Sequence, residues 1–132
     1  MAEKQVISTP HAPAAIGPYS QAIKVESLVF MSGQIPLDPK TMEIVSGGIE
    51  AQARRVLDNL AAVAAEAGGG LDDCVKLTIY MIDLAHFGVV NSVMQEYFKS
   101  PYPARATIQV SALPRGAEVE IEAVMLTPSA CC

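Results

Sequence analysis

Arg105 stands in Pro103-Ala104-Arg105-Ala106-Thr107, where a proline-stiffened loop runs into a strand pattern. A guanidinium on so restricted a backbone suits two-point capture of a planar carboxylate. Further on, Val119-Glu120-Ile121 puts the Glu120 carboxylate in a second strand pattern. With the turn residues Leu113-Pro114-Arg115-Gly116 between them, the two strands read as an antiparallel hairpin that brings Arg105 and Glu120 into one neighbourhood. The same spacing also fits a cross-strand ion pair at the surface. Two other segments could close on a ligand. Phe30-Met31-Ser32-Gly33-Gln34-Ile35-Pro36 ends an apolar strand in Ser32-Gly33, and the missing Cβ of Gly33 would let backbone amides approach a small molecule. A bulge or a strand end fits those residues equally. Ile16-Gly17-Pro18-Tyr19-Ser20-Gln21 is a Gly-Pro turn that delivers the Tyr19 ring into a strand, or simply turns the chain.

Other chemistries lack their residues. His11 and His86 are the only histidines, too far apart for metal-ligand spacing or a His-dependent nucleophile. Gly68-Gly69-Gly70 follows a helical pattern and precedes Asp72-Asp73. A phosphate cradle needs glycines that lead into a helix N-terminus without adjacent acids, so these read as a helix C-cap and loop. No metal and no cofactor is expected. The formal charge of −5 argues against nucleic acid as a partner, because phosphate binding needs a basic face. No apolar run approaches the roughly 20 residues of a membrane span. Residues 1–5 match neither a signal nor a transit peptide, so no membrane partner and a cytoplasmic location are expected. Cys74 precedes a strand pattern and reads as a buried small hydrophobe. Cys131 and Cys132 complete an odd count that makes no disulfide framework, and residues 129–132 read as a flexible tail.

The elements that must position these groups fit a single domain over residues 1–132, long enough for one core without staples. Ile49, Ala53, Val56, Leu57, Leu60, Ala61 and Ala64 recur at helical spacing, with Glu50 near the start and Gly68 at the stop. From Phe87, the residues Val90, Val93, Met94, Tyr97 and Phe98 repeat the pattern; Asp83 helps start this helix, and Pro101 and Pro103 end it. Strand patterns cover residues 21–25, 28–31, 75–82, 108–113 and 119–126. This order predicts an α+β domain with both helices on one face of the sheet. In the last strand Val119, Ile121, Ala123 and Met125 would point one way, and Glu118, Glu120, Glu122, Val124 and Leu126 the other. Residues 28–31 are apolar on both sides. A sheet solvated on its second face alternates more cleanly, so part of that face is expected to be buried against another copy of the chain.

Taken together, these segments resemble the RidA (YjgF) family of small 2-imino acid deaminases. The resemblance runs from about Pro13 to Thr127 and is most specific at Pro103-Ala104-Arg105, with Val110, Leu113 and Val119-Glu120-Ile121 at the family's distances. Ala14 to Gln21, Ser32 to Pro36, Gln52-Ala53, Leu57-Asp58-Asn59-Leu60 and Val90-Asn91 also agree. It implies a chorismate-mutase-like fold with a mixed sheet, and a homotrimer around a central barrel of sheets with ligand sites between subunits. Residue by residue, it implies that Arg105 grips the substrate carboxylate and Glu120 holds the attacking water. Ser32, Gly33 and the backbone at Thr107 would contact the ligand, and Tyr19 and Asn91 would line the pocket. Many relatives carry cysteine where Thr107 stands. The implied activity is hydrolysis of reactive 2-imino acids, by-products of PLP-dependent dehydratases, to 2-oxo acids and ammonia. A protonated imine is already electrophilic, so positioning and charge placement can suffice. A non-catalytic sensor of small 2-oxo acids would use Arg105 equally, but Glu120 beside a carboxylate ligand costs binding unless it holds water or a proton. A ribonuclease or translation-inhibitor role, attached to some members, fits the acidic balance poorly.

Overall fold

The strand patterns join into one mixed sheet of β1 (Gln5–Ile7), β2 (Ala22–Val25), β3 (Leu28–Gln34), β4 (Cys74–Met81), β5 (Ala104–Gln109) and β6 (Val119–Leu126). The structure, a computed structural model, describes residues 3–128, so the expected tail at 129–132 lies outside the described residues. Across the sheet the order is β1-β2-β3-β6-β4-β5. Every neighbouring pair is antiparallel except β4 with β5. A parallel pair needs a crossover, and the helix α2 (Phe87–Tyr97) supplies it.

The other helix, α1 (Gly48–Glu66), buries Ala53, Val56, Leu57, Leu60, Val63 and Ala64 along one stripe. It stops where Gly68 takes φ of 98°, a conformation that a side chain strains. The Gly69 N–H donates to the Ala64 carbonyl at 2.9 Å and the Gly68 N–H to the Ala65 carbonyl at 3.1 Å. These two bonds satisfy carbonyls that the helix end would leave open, as a C-cap does. Asp83 accepts from the Ala85 N–H at 2.9 Å and caps the short turn Leu84–His86 that feeds α2. Both helices share one core cluster with Val29, Leu77, Ile79, Met81, Ile121 and Met125. Each such buried side chain contributes about 1.5–3 kcal/mol. Cys74 belongs to the cluster, and burial pushes its thiol up to about 12. On the sheet's other side Phe30 is 49% exposed and Leu126 47%, beside exposed Val6, Leu28 and Ile108. Much of that open face is apolar where a solvated one would be polar.

Three expectations fail. The strand expected over residues 108–113 forms earlier, as Ala104–Gln109; its last ladder bond runs from the Val110 N–H to the Met81 carbonyl at 2.8 Å. Beyond it Pro114, which has no N–H, opens a short turn through Gly116. That turn is no hairpin: β5 pairs parallel with β4, and β6 runs between β3 and β4. Glu118 also leaves its expected face. Its N–H donates to Gln52 Oε1 at 2.9 Å and its Oε2 accepts from Gln52 Nε2 at 3.1 Å, which ties it to α1. Strand β1, three residues long, escaped the pattern reading altogether.

The segment after β3 is pinned to α1 by Asn59, which is fully buried. Its Nδ2 donates to the Leu37 carbonyl at 3.0 Å and the Ile35 carbonyl at 3.4 Å, while Oδ1 accepts from Arg55 Nε at 3.1 Å. Asn59→Leu keeps the volume but strands both carbonyls, so unfolding in urea should show a loss of about 2–3 kcal/mol. An unchanged midpoint would mean that this anchor carries no stability.

Candidate functional site

Two groups of polar residues stand at different places on the sheet. The first surrounds a bulge in β3. Met31 pairs with Ala123 and Gln34 with Ile121, so Ser32 and Gly33 together oppose a single residue of β6. Ser32 Oγ donates to the Ser20 carbonyl at 2.6 Å, and the Ser32 N–H donates to the Gln21 carbonyl at 3.0 Å. Glu120 lies over Gly33: a Cβ there would collide with Glu120 Oε2 and sit 3.0 Å from its Cδ. A side chain at this position would displace the carboxylate from where it rests. Tyr19, 54% exposed, shares a groove of about 330 Å³ with Gly33, Gln34 and Ile35.

Glu120 and Glu122 stand two apart on β6 and face the same side. Tyr80, opposite Glu120 on β4, donates its hydroxyl to Glu122 Oε1 at 3.0 Å. Among the described residues Glu120 has no such donor. Burial first, and the charge of Glu122 second, hold its carboxyl above the usual range.

The second group sits at an edge of the sheet, where β5 ends it. Arg105 Nη1 donates to Asn91 Oδ1 at 2.7 Å and approaches Met94 Sδ at 3.9 Å. The guanidinium carbon lies 5.0 Å from the centre of the Phe87 ring. Among the described residues no carboxylate lies within salt-bridge distance of Arg105. Beside it opens a cleft of about 410 Å³ lined by Asn91, Met94, Phe98, Tyr102 and Pro103. Thr107 stands two residues along β5 on the same side as Arg105, and β5, as an edge strand, keeps outward backbone groups unpaired.

Arg105 and Glu120 are not cross-strand neighbours, which excludes both the shared hairpin and the surface ion pair between them. Arg105 pairs with Leu77 and so shares the helix side, whereas Glu120 pairs with Tyr80 on the open side. Strand β4 separates them. The structure thus brings Arg105 to Asn91, and Glu120 to Gly33 and the Ser32 bulge, but not one set to the other. Spacing missed Phe87 and Met94, because apolar residues at helical intervals read as core. It also missed Tyr80, whose partner is non-local. His86 Nδ1 lies 4.0 Å from Glu118 Oε1, beyond hydrogen-bond reach.

The raised carboxyl of Glu120 has a cost in stability. The native group keeps its proton to a higher pH than the unfolded chain does, so native stability falls as pH rises through the folded value. Glu120→Gln should therefore melt at a higher temperature than wild type at about pH 7, and the gain should vanish below about pH 4, where both states are protonated. Equal melting temperatures at about pH 7 would show that the buried charge costs nothing.

The family model described as Endoribonuclease L-PSP matches residues 9–127. A human protein named 2-iminobutanoate/2-iminopropanoate deaminase is 46% identical over 123 residues, 93% of this chain and 90% of that protein. Protein DfrA of Myxococcus xanthus is 52% identical over 126 residues, 94% of this chain and 96% of its own length. Among solved structures, RidA from the Antarctic bacterium Psychrobacter sp. superposes with a TM-score of 0.90 at 48% identity, over 92% of this chain and 98% of that one. TdcF of E. coli, with bound serine, superposes with a TM-score of 0.89 at 38% identity, over 95% of this chain and 100% of that one. With a family model that matches residues 9–127 and relatives similar over nearly its whole length, this chain belongs to the Endoribonuclease L-PSP family, the family of the RidA and YjgF proteins.

Proposed function

We propose that this protein hydrolyses 2-imino acids to 2-oxo acids and ammonia, as a homotrimer whose sites combine Arg105 of one subunit with Glu120 of the next. The observation that carries this reading is the guanidinium of Arg105: ordered by Asn91, beside a cleft, and without a carboxylate partner among the described residues. A cation held ready in that way suits a small carboxylate ligand. Glu120 supplies the complementary half. Its raised carboxyl is a stronger base than an ordinary glutamate, and among the described residues no donor bonds to its oxygens, which suits a water-binding base. The human relative at 46% identity bears the name of this activity, and DfrA and RutC family relatives bear others.

In the proposed reaction Arg105 fixes the substrate carboxylate by two parallel hydrogen bonds. Water held by Glu120 attacks C2 of the protonated imine, and Glu120 takes the proton. The new C–O bond gives a tetrahedral aminoalcohol. Return of that proton to nitrogen makes ammonia the leaving group; as the C–N bond breaks, the hydroxyl proton passes to Glu120 and the C=O bond forms, releasing ammonia and the 2-oxo acid. Ser32, Gly33, Tyr19, Asn91 and the backbone at Thr107 are assigned to contact and enclose the ligand. Within one chain Arg105 and Glu120 stand on opposite faces, so a joint site calls for two copies. The exposed apolar side of the sheet offers the surface on which copies would meet.

Light scattering should return a mass near three times 13.9 kDa; a monomer at micromolar concentration would end the shared-site reading. Arg105→Ala should abolish both 2-oxobutanoate binding by calorimetry and imine hydrolysis, since the contact serves ground and transition states alike. Glu120→Gln should cost roughly 10²-fold in single-turnover hydrolysis, the scale of a lost general base, while binding holds or improves because a like charge has gone. Unchanged hydrolysis would remove Glu120 from the mechanism. Tight binding without hydrolysis in wild type would assign the cleft to a sensor of 2-oxo acids.

A further inference from the structure

Two arginines meet helix α2, and the helix treats them differently. Arg54 of α1 lies 3.3 Å from Glu50 and 2.9 Å from Glu96 of α2, so carboxylates neutralise it on both sides. Arg105 meets α2 through Phe87, Asn91 and Met94, spaced i, i+4 and i+7 on one stripe. Each of the three attracts a cation and none carries a charge. The Phe87 ring offers its electron-rich face to the guanidinium, Asn91 an amide oxygen and Met94 a thioether. Hydrogen bonds within the chain occupy Nη1 alone; Nη2 and Nε have no partner among the described residues.

We propose that Phe87 is a positioning residue for Arg105, the aromatic member of a charge-neutral stripe that orders the guanidinium without cancelling its charge. This rests on reading Arg105 as the carboxylate grip. A long side chain that orders only when ligand arrives must give up its rotamer freedom at that moment. The stripe orders it beforehand. A carboxylate in the stripe would hold the guanidinium more firmly, but it would occupy the donors and the charge that a ligand needs. An aliphatic residue in place of Phe87 would fill space without attracting the cation. The ring meets both demands, and a residue that reads as helix core acquires a second duty.

The test compares Phe87→Leu, Phe87→Tyr and Asn91→Asp with wild type. Three readouts are used: calorimetric binding of 2-oxobutanoate, steady-state hydrolysis of 2-iminobutanoate, and the heteronuclear NOE of the Arg105 Nε–Hε pair. Phe87→Leu should lower the NOE and raise both Kd and KM roughly two- to fivefold, the range of an exposed cation–π contact. Its kcat should stay unchanged, because the contact persists from ground to transition state. Phe87→Tyr, which keeps the ring, should match wild type. Asn91→Asp should hold the guanidinium at least as rigidly, yet weaken 2-oxobutanoate more than about tenfold as the new carboxylate competes for it. An unchanged NOE and Kd in Phe87→Leu would overturn the positioning role, and so would a defect in Phe87→Tyr equal to that of Phe87→Leu. Wild-type binding by Asn91→Asp would overturn the need for neutrality. If the wild-type protein neither binds 2-oxobutanoate nor hydrolyses the imine, the proposed function fails; the NOE comparison still decides whether Phe87 orders Arg105.

Discussion

Successive side chains of a strand point to opposite faces, so the place of β6 between β3 and β4 decides what each side of the sheet can carry. Once Val119, Ile121, Ala123 and Met125 enter the core beneath the helices, Glu120 and Glu122 have no choice but the open face. The alternation is enforced by apolar burial on one side, worth several kcal/mol over four residues at about 0.8 kcal/mol per buried methylene. A one-residue slip would put both glutamates in the core and Ile121 in water. The β3 bulge depends on the same constraint. Two residues of β3 oppose one of β6 only because the register on either side is held, and the extra residue sets Gly33 under Glu120.

The two charged groups are tuned in opposite senses. Glu120 is partly withdrawn from water beside Glu122, so its charge is discouraged. Tyr80 donates to Glu122, and among the described residues Glu120 is left without a donor. Arg105 remains on an edge strand, near water. What needs control there is the direction and freedom of the side chain. The carboxylate is therefore prepared by its dielectric surroundings, and the arginine by its neutral contacts on α2.

Local pattern made the helices legible, because Val56, Leu57, Leu60 and Ala64 repeat at the helical period and Gly68 closes the run. It made β6 legible too, since a strand buried on one side alternates throughout its length. The pairing of strands was another matter. Leu113-Pro114-Arg115-Gly116 has residues suited to a hairpin turn, and nothing local distinguishes that from a turn within a longer connection. The competing fact is that β4 accepts β5 in parallel on one edge and β6 antiparallel on the other, a choice made by contacts distant in sequence. β1 was invisible because three residues are too few to show a period. Glu118 looked like a third outward glutamate until Gln52, remote in sequence, was seen to hold it. Candidate site residues could be singled out because Pro103, Gly33 and Glu120 stand in unusual company. Their distribution over two faces was not.

That distribution has a physical rationale. In a hairpin, Arg105 and Glu120 would have faced one another at a few ångströms and formed an ion pair. Each would then have lost what distinguishes it: the guanidinium its open charge, the carboxylate its raised affinity for a proton. Placing β4 between them, with one group on each side of the sheet, prevents this within a chain. At two strand spacings, roughly 10 Å through packed backbone and side chains, no direct contact forms. Opposite charges that must both act on one small molecule are best kept apart until that molecule can lie between them. If neighbouring subunits bring the edge of one sheet to the open face of another, a cationic imine with a carboxylate tail would bridge the halves. Its carboxylate would face Arg105 and its electrophilic carbon the water at Glu120. The sheet would then act as an insulator within each chain, and assembly would close the circuit only with substrate in place.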